Sequence, residues 1–515
     1  MSSSGRLTRR QFVQRAAAGA GVAAGGRLLF GGRAGAADDV ILPPGGKFAD
    51  GVELTYFQDS SWLHAPLWLS PIFQKDAGVG IKGRELYDPT DTMTKVLPQT
   101  LAKKPSFDWV QYPSQCFGAL AETGTLEPLD DYFAQYPSAS AYLKWLMPAF
   151  AEFYTRWNGK TYGIPVDGGI HVLHYQKSRF ADAGLQKKFS GRFQRDLQVP
   201  KTWQEFVDCT QFFTEELSTQ GVYGTSMPMN PPAAVWSVWM DIAAGNGVTY
   251  FDENMNPTIN TSPAIEALDL YKQIAKFAAP RKDATDQAQA RQRWQAGVDV
   301  MSLASIGLAK ETAQKQGPVR AEDQGADIIP GWKQSDGTIS YKAISMEGRT
   351  VSIPKNAPQP VKDAAFYFIY RMSHPYVSDY IVADAYCGSN PFGASHYTDE
   401  AAKHYLEANP QREADNELWP TNNGVFKTFA VAREHLDGGL KNAQVGYPQL
   451  YGEGAPDYAG ALGRNIAKAV AGEVSSQQAL DQVAEEWTKI VQKLGIDQQK
   501  AQYKNLLDGV RKLKI

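Results

Sequence analysis

The sequence predicts an α/β protein built as two lobes that exchange chain segments. Three observations carry this. Short β-rich runs alternate with amphipathic helical stretches, the pattern of a layered domain with a parallel sheet. The 515 residues are 43% apolar, 21% charged and 11% aromatic, an ordinary globular composition long enough for two large domains. No internal repeat or low-complexity linker separates the chain into beads on a string.

Elements follow in order. Val52–Phe57 is a first strand after Pro43-Pro44-Gly45-Gly46, and Trp62–Lys75 has helical spacing that ends near Gly78. Asp108–Gln111 reads as a buried strand, with a helix over Cys116–Glu122 closed by Gly124. Thr202-x-x-Glu205 is a capping box that opens a helix through Phe213. Ser262-Pro263 starts another, with Ser as cap and Pro in the first turn. A strand near Thr350–Ile353 precedes a helix over Val361–Met372, and Ser475-x-x-Gln478 caps a helix that runs to about Leu494. Leu480, Val483, Trp487 and Ile490 lie on one face of it, a core stripe.

Charge and motifs exclude several function classes. Residues 1–36 hold six Arg and no acid; without them 46 basic residues face 55 acidic ones, a net charge of −9. A chain this acidic lacks the basic surface that general nucleic-acid binding needs. Cys116, Cys209 and Cys387 lie far apart and form no CxxC pair, which excludes a zinc finger and a disulfide-rich scaffold. Gly159-Lys160-Thr161 is not a phosphate loop, since Tyr154 stands where the first glycine belongs. Gly-x-Ser-x-Gly is absent. His171-x-x-His174 lies in a β-like run, where i and i+3 face opposite sides, so structural histidines are expected rather than a metal site. No cofactor and no metal is expected.

Thr8-Arg9-Arg10-Gln11-Phe12, a weakly apolar stretch from Ala16 to Gly32, and Ala34-Gly35-Ala36 resemble a twin-arginine export signal with its cleavage site. No Cys follows for a lipid anchor, so a periplasmic protein starting near Ala37 is expected.

Several stretches together resemble the family 1 extracellular solute-binding proteins of ABC importers, the group that contains the maltose-binding protein. They are Gly124-Thr-Leu-Glu-Pro-Leu-Asp-Asp131, Asn158-Gly-Lys-Thr-Tyr-Gly-Ile-Pro-Val-Asp167, Pro200-Lys-Thr-Trp-Gln-Glu-Phe206, Trp294-Gln-Ala-Gly-Val-Asp-Val-Met301, Ile353-Pro-Lys-Asn356 and Cys387-Gly-Ser-Asn-Pro391. The resemblance covers about residues 50–495. It implies a type II periplasmic-binding-protein fold with hinge crossings near Ile164–Ile170, Gly348–Val351 and Tyr386–Pro391. The implied lobes are 38–166 with 350–388, and 167–349 with 389–515. The stretches 395–430 and beyond Lys493 look like additions. A monomer is expected, with ABC permease subunits at the membrane as partners and no nucleic acid.

A saccharide site pairs aromatic faces with carboxylates, amides and Arg. Gln58, Asp59 and Trp62 resemble the family's first ligand loop. Tyr112 falls at its stacking aromatic, and Gln115 at a position where the maltose-type pattern has a carboxylate. Asp167 sits at the first crossing, Trp236 at an aromatic ligand position, Glu347 and Arg349 at the second crossing, and Asn390 at the third. Each has a plainer alternative: Glu347 and Arg349 pairing with each other, Asp167 capping backbone, Trp236 packing between helices. The resemblance implies a carbohydrate or polyol ligand. A polyamine or other organic cation is an alternative favoured by the −9 charge. A secreted carbohydrate-active enzyme is a third reading, for which the sequence offers no paired-carboxylate signature.

Overall fold

The computed structural model describes residues 41–48, 51–59, 65–87, 91–227, 232–280, 287–315, 317–344, 348–384, 387–406 and 425–514. The expected export segment, Trp62 and Glu347 lie outside the described residues. The chain divides into two compact units, Met1–Gly168 with Gly348–Gly424, and Gly169–Glu347 with Val425–Ile515.

In chain order, the first unit contributes strands β1 (Val52–Asp59), β2 (Val79–Tyr87), β3 (Trp109–Pro113) and β4 (Ile164–Asp167). The second holds β5 (His171–Gln176), β6 (Met301–Ser305), β7 (Gln324–Asp327) and a hairpin of β8 (Trp332–Lys333) with β9 (Ile339–Ser340). The chain re-enters the first unit with β10 (Arg349–Ser352). The helices used below are α1 (Ala65–Ala77), α2 (Phe117–Glu122), α3 (Trp203–Leu217), α4 (Pro232–Gly245), α5 (Ser262–Phe277), α6 (Gln359–Ser373), α7 (Ser476–Leu494) and α8 (Ile496–Leu513).

The first unit is organised on a five-stranded sheet in the order β2-β1-β3-β10-β4. β1 pairs in parallel with β2 and β3, whereas β10 is antiparallel to both β3 and β4. The sheet is therefore mixed, not the parallel one expected. β10 arrives from the second unit and enters from the opposite end, which reverses its direction. β2 follows Gly78, whose φ of +75° makes the turn; a Cβ there would stand 2.7 Å from the Phe48 carbonyl oxygen, so only glycine admits it. The core stacks Tyr56 on Trp109 with centroids 4.6 Å apart and sets Phe73 of α1 edge-on to Phe368 of α6 at 4.8 Å. Arg371 lies 4.2 Å over the Phe73 ring and pairs with Asp76 at 2.6 Å, so its buried charge is both stacked and paired.

Residues 389–406 also belong to the first unit, where the sequence reading puts 389–515 in the second lobe. The cause is local packing. Trp145 Nε1 donates to Ser395 Oγ at 2.9 Å, Met147 N donates to the Phe392 carbonyl at 3.0 Å, and a Cβ on Gly393 would stand 2.0 Å from the Trp145 ring. The described residues 387–406 thus stay with the first unit, and those from 425 belong to the second.

The second unit carries an antiparallel sheet in the order β6-β5-β7. Both expected capping boxes form: Thr202 with Glu205 opens α3, and Ser475 with Gln478 opens α7. At α5 the cap position is Thr261, without a side-chain cap bond, and Ser262 is the first helical residue rather than the cap. The stretch beyond Lys493 is the helix α8, seated by Tyr503 Oη accepting from Phe251 N at 3.3 Å and Gln502 Oε1 accepting from Glu453 N at 3.0 Å. Among the described residues no helix is long and apolar enough to cross a membrane.

Candidate functional site

The topology of the first unit gathers polar residues at one end of its sheet. β1 ends at Asp59, β3 at Pro113 and β4 at Asp167, while the antiparallel β10 begins at Arg349. Arg349 pairs across the ladders with both Pro113 and Asp167. Strand C-termini of an open α/β sheet are where ligands bind.

Arg349 Nε donates to Asp59 Oδ2 at 2.5 Å, and Gln111 Nε2 donates to the same oxygen at 3.0 Å. Tyr87 Oη donates to the Gln111 carbonyl at 2.8 Å. Asp59 is fully enclosed, while the Arg349 side chain keeps 16% of its exposure. Asp59 therefore positions the guanidinium, and Arg349 is the member of the pair whose side chain keeps some exposure. Burial works against the Arg349 charge, but the Asp59 and Asp167 carboxylates outweigh it and hold its pKa above the ordinary value. Cys116, beside this cluster, is pushed up to about 12 by burial and stays a neutral thiol.

Asp167 and Asn390 form a second buried pair. Asp167 Oδ1 accepts from Asn390 N and from Asn390 Nδ2, both at 2.8 Å. The next residue, Gly168, donates its N–H to the Asn390 carbonyl at 3.0 Å. Two glycines make this convergence possible. A Cβ on Gly168 would lie 1.9 Å from the Pro391 carbonyl oxygen, and one on Gly348 would lie 2.0 Å from that of Asp167.

Asp59, Asp167, Arg349 and Asn390 are thus brought to one end of the first unit. Gln111 and Tyr87 join the set without having been singled out in the sequence; a buried amide inside the apolar run Trp109–Pro113 was the available signal. Gln58 is fully buried in β1. Tyr112 is also fully buried, with its hydroxyl 2.7 Å from Ser352 Oγ. Gln115 lies half-buried in the turn before α2. Trp236 is carried by α4 of the second unit.

In the second unit, His171 Nδ1 lies 2.5 Å from Asp241 Oδ2 of α4, both side chains buried. His174 Nε2 lies 3.1 Å from the Ser305 carbonyl, and burial pulls its pKa down to about 4, which leaves the ring neutral and donating. The two rings serve different partners. Among the described residues no group of three or more His, Cys, Asp or Glu is placed to hold a metal ion. The chemistry on offer at the sheet end is hydrogen bonding: carboxylates that accept, amides that do both, and a fixed guanidinium that donates.

Over 136 residues the chain is 26% identical to a Sinorhizobium fredii protein named "Probable amino-acid ABC transporter periplasmic-binding protein", covering 26% of this chain and 28% of that one. Over 118 residues it is 28% identical to the arabinooligosaccharide-binding protein of Halalkalibacterium halodurans, covering 23% of each. The chain thus spans about a quarter of the length of the curated relatives it matches. The crystal structure of an ABC transporter solute-binding protein from Agrobacterium radiobacter, in complex with ribitol, matches with a TM-score of 0.66 and 20% identity, covering 85% of this chain and 99% of that one. The fold class is that of the two-lobed periplasmic solute-binding proteins. The family model for the bacterial extracellular solute-binding proteins matches residues 69–390, well over half of the chain, and this protein belongs to that family.

Proposed function

We propose that this protein captures a carbohydrate, either a mono- or oligosaccharide or a polyol, and delivers it unchanged to the permease of an ABC importer. The supporting observation is the commitment of Arg349. An amino-acid or other anionic ligand needs a cation whose charge is open to it. Here the guanidinium is already matched by Asp59, with Asp167 also close enough to raise its pKa. What this end of the sheet offers is a set of acceptors and donors suited to neutral hydroxyls. The arabinooligosaccharide and ribitol relatives agree with this reading, and the relative named for amino acids marks the competing one.

Gln58, Asp59, Trp62, Tyr112, Gln115, Asp167, Trp236, Glu347, Arg349 and Asn390 are the residues assigned to ligand capture. Asp59 and Asn390 act by positioning Arg349 and Asp167. The protein acts as a binder rather than an enzyme, as a monomer in the periplasm, exported by the twin-arginine route that residues 8–14 and 34–36 support.

A thermal-shift panel followed by titration calorimetry tests this with saccharides, polyols, amino acids and polyamines as separate arms. A ligand at ~100 times its Kd stabilises the folded protein by about 2.7 kcal/mol, enough to read as a raised Tm. A saccharide or polyol should do so and be recovered chemically intact. A response to amino acids or polyamines alone, or turnover of the sugar, overturns the reading.

A further inference from the structure

We propose that the second unit carries a separate, weaker saccharide site in a groove bounded by the start of α3, by α5 and by the hairpin β8–β9. The groove goes beyond the reading above, because it lies wholly in the second unit and uses none of the residues at the sheet end of the first. Its volume is about 630 Å³, inside the ~300–1,000 Å³ typical of small-molecule sites.

A fixed aromatic platform is built into it. Trp332 is half-buried, and its Nε1 donates to the Ile242 carbonyl at 2.5 Å. The polar edge of the indole is therefore engaged and its plane is set, leaving ring surface toward the groove. Two glycines let it settle there. A Cβ on Gly245 of α4 would stand 3.1 Å from Trp332 Cδ1, and one on Gly331 would stand 2.5 Å from the Ser340 carbonyl across the hairpin. An aromatic face of this kind matches the C–H face of a pyranose ring.

The rim supplies what the hydroxyls need. Gln204 and Gln273 are exposed amides that both donate and accept. Glu266 and Asp269 accept, and each is held in place, Glu266 by Asn246 Nδ2 at 3.0 Å and Asp269 by Ser476 Oγ at 2.5 Å. Lys333 is the one cation among the described lining residues. Lys272 Nζ stands 3.8 Å from Asp269, so two carboxylates meet two ammonium groups, and this balance leaves a neutral polyhydroxyl as the match.

The test is fluorine NMR on protein labelled with 5-fluorotryptophan, with the Trp332 signal assigned by its loss in Trp332→Phe. The probes are maltose, cellobiose and xylobiose. The Trp332 signal should shift and saturate with at least one of them, both in the native chain and in Asp59→Asn. Trp332→Ala, or Gln204→Ala combined with Gln273→Ala at the exposed rim, should weaken that event about tenfold or more, read by calorimetry. The site does not exist if the Trp332 signal ignores all three probes, or if it responds equally in the double glutamine variant. Either failure leaves the result at Asp59 and Arg349 untouched, so the two readings fall separately.

Discussion

The ion pair between Asp59 and Arg349 makes a strong quantitative claim about the first unit. The bonds from Arg349 Nε and from Gln111 Nε2 both fall on Oδ2 of Asp59. In Asp59→Asn a carbonyl oxygen with two lone pairs can stand in that place and keep both bonds, so the loss is the charge. A hydrogen bond to a charged group is worth about 1.5–3 kcal/mol against about 0.5–1.5 kcal/mol for a neutral one; the Gln111 bond drops to the neutral class and the still-charged Arg349 loses its counter-ion, so the two effects together cost roughly 2–3 kcal/mol. Arg349→Gln should cost more, about 3–5 kcal/mol, because it strands a carboxylate that is fully enclosed. In the double variant neither charge is stranded, so its cost should fall short of the sum of the singles by ~1–3 kcal/mol. Urea unfolding, with the two units followed by separate probes, reads these values. The heat-unfolding midpoint of the first unit should drop by about 4–12 °C in Asp59→Asn, at ~2–4 °C per kcal/mol for a domain of this size. A double variant that equals the sum of the singles within about 0.5 kcal/mol would refute the coupling.

Four further outcomes follow from the same structure. Asp379 is raised from 3.8 to about 7 by burial, against the Ser395 hydrogen bond, so the folded state favours its protonated form; its contribution to stability should be present below about pH 4 and lost as pH rises through about 7. Urea midpoints across that window should decline in the native chain and flatten in Asp379→Asn. Tyr112→Phe removes the hydroxyl contact with Ser352 and should cost about 1 kcal/mol of stability with ligand Kd unchanged, because the ring assigned to the ligand is kept, and a large loss of affinity without loss of stability would mean that the hydroxyl meets the ligand instead. Trp236→Ala should weaken ligand binding by about 1–3 kcal/mol in calorimetry while circular dichroism stays native. Gly168→Ala drives a methyl group into the Pro391 carbonyl and should cost about 1–3 kcal/mol, with faster amide exchange at Asn390, whose N–H is held by Asp167.

What was legible in the sequence had local causes. The boxes Thr202/Glu205 and Ser475/Gln478 span four residues, and both form as read. At α5 the same logic misses by one residue, since Thr261 and Ser262 are both plausible caps and only the backbone distinguishes them. The edge strand β2 went unseen because the charged residues Lys82, Arg84 and Glu85 interrupt its apolar alternation, with Lys82 and Glu85 exposed. The direction of β10, and with it the mixed sheet, is set by where the chain re-enters the first unit, which no window of neighbouring residues encodes.

The site was legible as a set of residue types and not as a set of pairings. Asp59 and Arg349 stand 290 positions apart, and Asp167 and Asn390 stand 223 apart. The sequence therefore left Arg349 equally free to be paired with its neighbour Glu347, and only the folded chain shows its bond to Asp59. One sequence signal did mark the meeting place and escaped the reading by periodicity. Gly168 and Gly348 each follow or precede a site residue, and at each a single methyl group would collide with backbone from a distant segment. A glycine adds nothing to an apolar stripe, so a search for stripes passes over it. Where a glycine borders a charged residue at the end of a buried strand, its missing side chain is itself evidence that another stretch of backbone comes close. Here that other stretch carries the charged residue's partner: Asn390 beside Pro391 for Gly168, and Asp167 for Gly348.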